Sequence, residues 1–180
     1  MAGMYGSSRN TAGEAPSSSH CLKTREGWEM ERRGEPITIL LVDDDEDCRL
    51  MIRDAIEEAG VQNNVYEVSS GEEALDFVYK RNGYEDAPRP GLIYLDIDMP
   101  GMSGQEVLKK IKSDDRYKDI PVVMMTGLND EKEKLEAARN GANSYTLKPT
   151  DPVEFMKTVI EATNYWIYIH QRPHVDGDEG

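Results

Sequence analysis

The sequence predicts an α/β fold: a doubly wound five-stranded parallel sheet with helices on both faces. Three observations point there. Five short apolar runs alternate with stretches of helical period. Capping signals open most of those stretches. Four of the runs end in residues able to do chemistry, as strands do at the carboxyl edge of a parallel sheet.

In order, Ile37 to Val42 is an apolar run of the kind buried on both faces. The helix after it turns Leu50, Ile52, Ala55, Ile56 and Ala59 inward and stops at Gly60. Val65 to Val68 is a short second strand. Ser70-Gly71-Glu72-Glu73 is a capping box opening a helix with Ala74, Leu75 and Val78 inward, which fades at Asn82-Gly83. A polar loop over 84–90, with Pro88 and Pro90, leads to the third strand, Leu92 to Asp96. Ser103-Gly104-Gln105-Glu106 is another capping box, with Val107, Leu108 and Ile111 behind it. Ile120 to Thr126 is the fourth strand. Asp130 opens a helix that Gly141 ends, and Ser144 to Leu147 is the fifth strand. Asp151 caps the last helix, with Pro152 at the favoured first position. Val153, Met156, Val159, Ile160 and Thr163 suit its core face.

Residues 1–35 are rich in Ser and Gly and have no period, so a disordered polar leader is expected. The globular domain is expected over 36–170 and a short polar tail over 171–180. Met30 lies just before the first strand and offers an alternative start. A transit peptide would need an apolar face that the leader lacks.

Formal net charge is −14. Residues 1–35 hold five basic and five acidic side chains, which cancel, so the whole −14 falls on 36–180. Such a surface repels nucleic-acid phosphates and anionic membranes, and suits a basic protein partner. The two cysteines, Cys21 and Cys48, form no disulfide framework, which points to a reduced cytoplasmic setting. No apolar run approaches the ~18 residues of a membrane span. His20, His170 and His174 belong to no motif.

The chemistry sits at the strand ends. The first run ends in Asp43-Asp44-Asp45, the third in Asp96, the fourth in Thr126-Gly127 and the fifth in Lys148-Pro149. Gathered on one edge, Asp43, Asp44 and Asp96 repel unless a cation compensates. Mg²⁺ takes hard oxygen ligands and binds through one or two carboxylates plus a phosphate oxygen. Lys148 adds positive charge, and Thr126 offers a hydroxyl to an anion. A metal, a lysine and a hydroxyl around one carboxylate describe a phosphoryl-transfer site with Asp96 as nucleophile.

Residues 37–165 resemble the receiver domain of two-component response regulators. The resemblance rests on Val42-Asp43-Asp44, the stretch from Asp96 to Gly104, Thr126-Gly127 and Lys148-Pro149. It implies a flavodoxin-like sheet of strand order 2-1-3-4-5, with Asp96 as the phospho-acceptor. It further implies that Asp44 ligates Mg²⁺ directly, Asp43 largely through water and Asp98 through its backbone carbonyl. Thr126 would bond a phosphoryl oxygen, Lys148 would pair with it, and Tyr145 would be an aromatic switch residue moving with Thr126. A cis Lys148–Pro149 bond is implied as well. Asp98, acidic at a position that tunes phosphate lifetime in the family, implies slow self-dephosphorylation. Thr150 departs from the phenylalanine common there.

The loop from Tyr84 to Pro90 and the end Asn164-Tyr165-Trp166 look like the stand-alone regulators of cyanobacterial phytochromes and related histidine kinases. That subgroup implies a homodimer through the last helix and its extension, with Trp166, Ile167, Tyr168 and Ile169 as partner surface. The implied partners are a histidine kinase or phosphotransfer protein, and the domain is a signalling module rather than an enzyme. Two alternatives stand beside it. One is a scaffold that is never phosphorylated. The other is a phosphatase using Asp96-Ile97-Asp98 as a D-x-D nucleophile motif, although Pro100 stands where such enzymes carry a threonine.

Overall fold

The computed structural model describes residues 36–60 and 63–169. The leader and the tail expected at the two ends lie outside them. Five strands form one parallel sheet in the order β2-β1-β3-β4-β5: β1 (Thr38–Val42), β2 (Asn64–Val68), β3 (Leu92–Asp96), β4 (Val122–Thr126) and β5 (Ser144–Leu147). The five helices between and after them are α1 (Glu46–Glu58), α2 (Gly71–Val78), α3 (Gly104–Ser113), α4 (Glu131–Arg139) and α5 (Pro152–Asn164). A wider helical turn, Tyr165–Ile169, extends α5.

Strand period two divides the core between the faces. Leu40, Val42, Ile93, Leu95, Val122 and Met124 point to the side covered by α2, α3 and α4. Ile39, Leu41, Leu92, Tyr94, Val123 and Met125 point to the side covered by α1 and α5. The three inner strands are buried along their whole length, as their continuous apolar runs require. The edge strands β2 and β5 are partly open.

Helix starts follow the capping chemistry. Ser103 and Glu106 close a reciprocal box. At α2 the exchange is split: Ser70 accepts from the Glu73 N–H, but the Glu73 carboxylate takes the N–H and hydroxyl of Ser69 instead. Asp45, Asp130 and Asp151 cap α1, α4 and α5.

Four expectations are corrected. Leu50 is 43% exposed, because the inner stripe of α1 is Cys48, Ile52, Ala55 and Ile56, and Leu50 lies half a turn from Ile52. Val153 is 60% exposed, since the buried row of α5 runs Phe155, Val159, Thr163 at steps of four. Trp166 is not open surface. Its side chain is 9% exposed and closes the end of the α1–α5 core, with Ile167 half-buried on the same cluster. The side chains of Tyr168 and Ile169 lie outside the described residues.

The Lys148–Pro149 bond is trans. Trans is the default by about 0.5–1 kcal/mol. With it, the Lys148 N–H already reaches the Thr126 carbonyl at 2.7 Å and its ammonium reaches two carboxylates, so the turn does not call for the cis form.

Candidate functional site

Register assembles the site. Val42 pairs with Leu95 and Asp96 with Met125, so the residues just past β1 and at the end of β3 emerge side by side. Thr126 pairs with Leu147, which places Lys148 one step beyond Thr126. Five residues from four separate stretches of the sequence thus meet at one sheet edge: Asp43, Asp44, Asp96, Thr126 and Lys148.

Asp43 and Asp96 are 2% and 5% exposed, and Asp44 is exposed. One carboxylate oxygen from each lies within 4.8 Å of the other two. Oxygens that share a divalent ion at about 2.0–2.6 Å from it lie at comparable separations. Hard, anionic and converging, this donor set fits a divalent cation. Asp43 is held on both sides: its Oδ1 accepts from the Asp45 N–H at 2.9 Å, and its carbonyl accepts from Arg49 Nη1 at 2.6 Å.

The Lys148 ammonium donates to Asp43 Oδ2 and to Asp96 Oδ1, each at 2.6 Å. Burial alone would pull its pKa down, but the two carboxylates outweigh burial and hold the ammonium above its ordinary range. Burial is also the largest influence on Asp96. It pushes that carboxyl above the usual carboxylate range against the pull of Lys148, with Asp43 and Asp98 adding to the rise. A partly desolvated, electron-rich carboxylate beside a fixed cation is the expected ground state of a nucleophile awaiting an electrophile.

Thr126 is fully buried. Its hydroxyl donates to Asp98 Oδ2 at 3.3 Å and accepts from the Leu128 N–H at 3.1 Å. Tyr145 is half-buried, with its hydroxyl 3.5 Å from the Leu128 carbonyl and Lys134 Nζ 5.8 Å from its ring centre. The chain around Asp96 also needs Gly104. A Cβ there would be driven into the Asp96 carbonyl oxygen, so glycine lets the start of α3 pack on the acceptor strand, where its N–H donates to the Ile97 carbonyl at 3.1 Å.

Sequence reasoning missed three participants. Arg49 anchors the Asp43 backbone, and its place one turn into α1 was the available signal. Glu133 has one buried carboxylate oxygen without a partner, and its pKa is raised by burial, then by Asp98 and Asp130. The Asp98 side chain, expected to matter through its charge beside the phosphoryl group, also contacts Thr126, which the sequence did not suggest. Trp166, Ile167, Tyr168 and Ile169 lie in the turn after α5, outside this cluster.

The response regulator receiver domain family matches residues 39–160. The chain belongs to that family. The probable methanogenesis regulatory protein FilR2 of Methanothrix harundinacea is 32% identical over 139 residues, covering 77% of this chain and 89% of the relative. Response regulator Rcp1 of Synechocystis sp. is 29% identical over 132 residues, covering 73% and 90%. The crystal structure of the phosphorylated cyanobacterial phytochrome response regulator RcpA superposes with a TM-score of 0.74 at 30% identity, covering 77% of this chain and 99% of that one. The Mn²⁺-bound form of Rcp1 gives 0.73 at 28% identity, covering 77% and 99%. The sheet order is that of the receiver fold. No helix among the described residues is long and apolar enough to cross a membrane.

Proposed function

We propose that this receiver domain takes a phosphoryl group on Asp96 from the phosphohistidine of a histidine kinase or phosphotransfer protein. An Asp96 oxygen attacks phosphorus, the phosphorus–nitrogen bond breaks, and the imidazole leaves to take up a proton. The observation that carries this reading is the Asp96 carboxylate itself, 5% exposed at a strand end, with an ammonium 2.6 Å away and two further carboxylates in ligand range.

Asp43, Asp44 and Asp96, with the Asp98 carbonyl, would hold Mg²⁺, which neutralises charge on the transferring group when bound. Lys148 keeps its ammonium at the acceptor and follows the phosphoryl oxygens. Thr126 supplies a hydroxyl to one of them, and Tyr145 moves with it as the switch. The negative charge of Asp98 hinders an incoming water, which makes the aspartyl phosphate long-lived. The cytoplasm, where ATP-fed kinases work, is the fitting location.

Phosphorylation biases a two-state equilibrium of β4, β5 and their helices and so alters a protein-binding face. We place a homodimer contact on α5 and the turn after it. The support is now Val153 and Tyr165, 60% and 47% exposed, rather than the buried Trp166.

Incubation with acetyl phosphate and Mg²⁺, read by intact mass beside Asp96→Asn, tests the acceptor. The expected result is one added phosphoryl group, absent in the variant. A folded wild-type protein that gains no mass overturns the reading and favours the unphosphorylated scaffold.

A further inference from the structure

The Thr126 hydroxyl has one proton to give, and in this structure it gives it to Asp98. Oγ1 donates to Asp98 Oδ2 at 3.3 Å while the Leu128 N–H donates to Oγ1 at 3.1 Å. Two bonds on one small oxygen define a rotamer. Thr126 is fully buried, so water does not substitute for either partner. A phosphoryl oxygen on Asp96 would need that same proton. The two acceptors are therefore exclusive: Thr126 serves Asp98 or the phosphoryl group, not both.

We infer that the Asp98 carboxylate is a positioning residue that latches Thr126 in the resting rotamer, so that a phosphoryl group on Asp96 must win the hydroxyl from it. This deepens the function proposed above and rests on it. At 3.3 Å the bond is long for a hydroxyl donor, which suits a latch that yields when a phosphoryl oxygen arrives. Asp98 is exposed at its other side and lies in the turn after β3, so phosphorylation and latch are joined by two residues of chain. Tyr145 lies against the same unit through the Leu128 carbonyl, 3.5 Å from its hydroxyl. Release of Thr126 from Asp98 would loosen both contacts on Leu128 together.

Charge and latch are separable by substitution. Asp98→Asn removes the charge but keeps an acceptor oxygen, whereas Asp98→Ala removes both. In the phosphate-free full chain, NMR couplings to the Thr126 methyl group report its χ1 angle. A single rotamer is expected in wild type and Asp98→Asn, and an average in Asp98→Ala; an unchanged single rotamer in Asp98→Ala overturns the latch. The second arm titrates the phosphoryl mimic beryllium trifluoride with Mg²⁺. Asp98→Ala is expected to bind it about threefold more tightly than Asp98→Asn, and the difference should vanish in a Thr126→Ala background. A difference that persists there overturns the latch. Failure of wild type to bind the mimic would sink the phospho-acceptor reading instead, while the rotamer arm still decides the latch.

Discussion

Lys148 and Asp96 stand at the ends of β5 and β3, separated by β4, yet the ammonium of one lies 2.6 Å from the carboxylate of the other. The same ammonium reaches Asp43 at 2.6 Å. One cation thus compensates two buried anions in the resting site.

Removal of that cation should therefore destabilise the fold before it affects any chemistry. Lys148→Ala leaves Asp43 and Asp96 unpaired at 2% and 5% exposure. The expected loss is about 3 kcal/mol, the lower end for a broken buried ion pair. Added Mg²⁺ should recover part of it by supplying positive charge to the same oxygens. Urea melts of both proteins with and without Mg²⁺ give the answer. Equal Mg²⁺ stabilisation in both would mean that metal and ammonium do not share a task.

Gly104→Ala tests the backbone beneath the acceptor. Helix propensity alone would favour alanine by about 1 kcal/mol. Space opposes it, because the new Cβ meets the Asp96 carbonyl oxygen, the Asp96 carbonyl carbon at 2.9 Å and Ile97 Cα at 3.0 Å. These are backbone atoms with little freedom to yield. The net expectation is a loss of about 1–3 kcal/mol, with the Asp96 carboxylate displaced. Phosphorylation by acetyl phosphate should slow in the folded variant. A variant as stable as wild type would show that the α3 start can shift without cost.

Much of this was readable from the sequence. Four of the five strands run into residues able to do chemistry, and a parallel sheet puts those ends on one edge, so Asp43, Asp44, Asp96, Thr126 and Lys148 could be gathered from the sequence. What failed has a common cause. Leu50, Val153 and Trp166 were assigned by apolar type, but burial on a helix is set by angle, and only packing decides which of several apolar residues faces in. The Asp98–Thr126 contact was hidden because a turn's side-chain direction is fixed by tertiary geometry.

Tyr94 and Thr163 join the central strand to α5 through a buried hydroxyl pair at 2.8 Å. Tyr94→Phe leaves the threonine hydroxyl without that partner. It can still turn back to a carbonyl of its own helix, so the expected cost is modest, about 1 kcal/mol. Thr163→Val strands the tyrosine hydroxyl, which has no such local refuge, and should cost more. The double variant should cost less than the two singles summed, because no polar group is then left alone. Strict additivity in chemical denaturation would show that the pair contributes nothing beyond packing.

Cys48 gives the fold an alkaline limit. It lies on the inner stripe of α1, and burial, followed by its hydrogen bond to Asp43, pushes the thiol pKa up to about 12. In the unfolded chain the thiol titrates near 9.0. The folded state therefore holds the proton more tightly than the unfolded state does. That contribution is complete below pH 9 and is lost as pH rises from 9 toward 12. By pH 10.5 the loss should reach about 2 kcal/mol relative to pH 8. Cys48→Ala removes the titrating group, so its stability should fall less over the same interval. The other side chains are common to both proteins, so the difference isolates the thiol together with its coupling to Asp43 and Lys148. Urea midpoints at pH 8 and pH 10.5 for the two proteins measure it, and parallel declines would mean that the thiol reaches solvent more freely than its position in α1 implies.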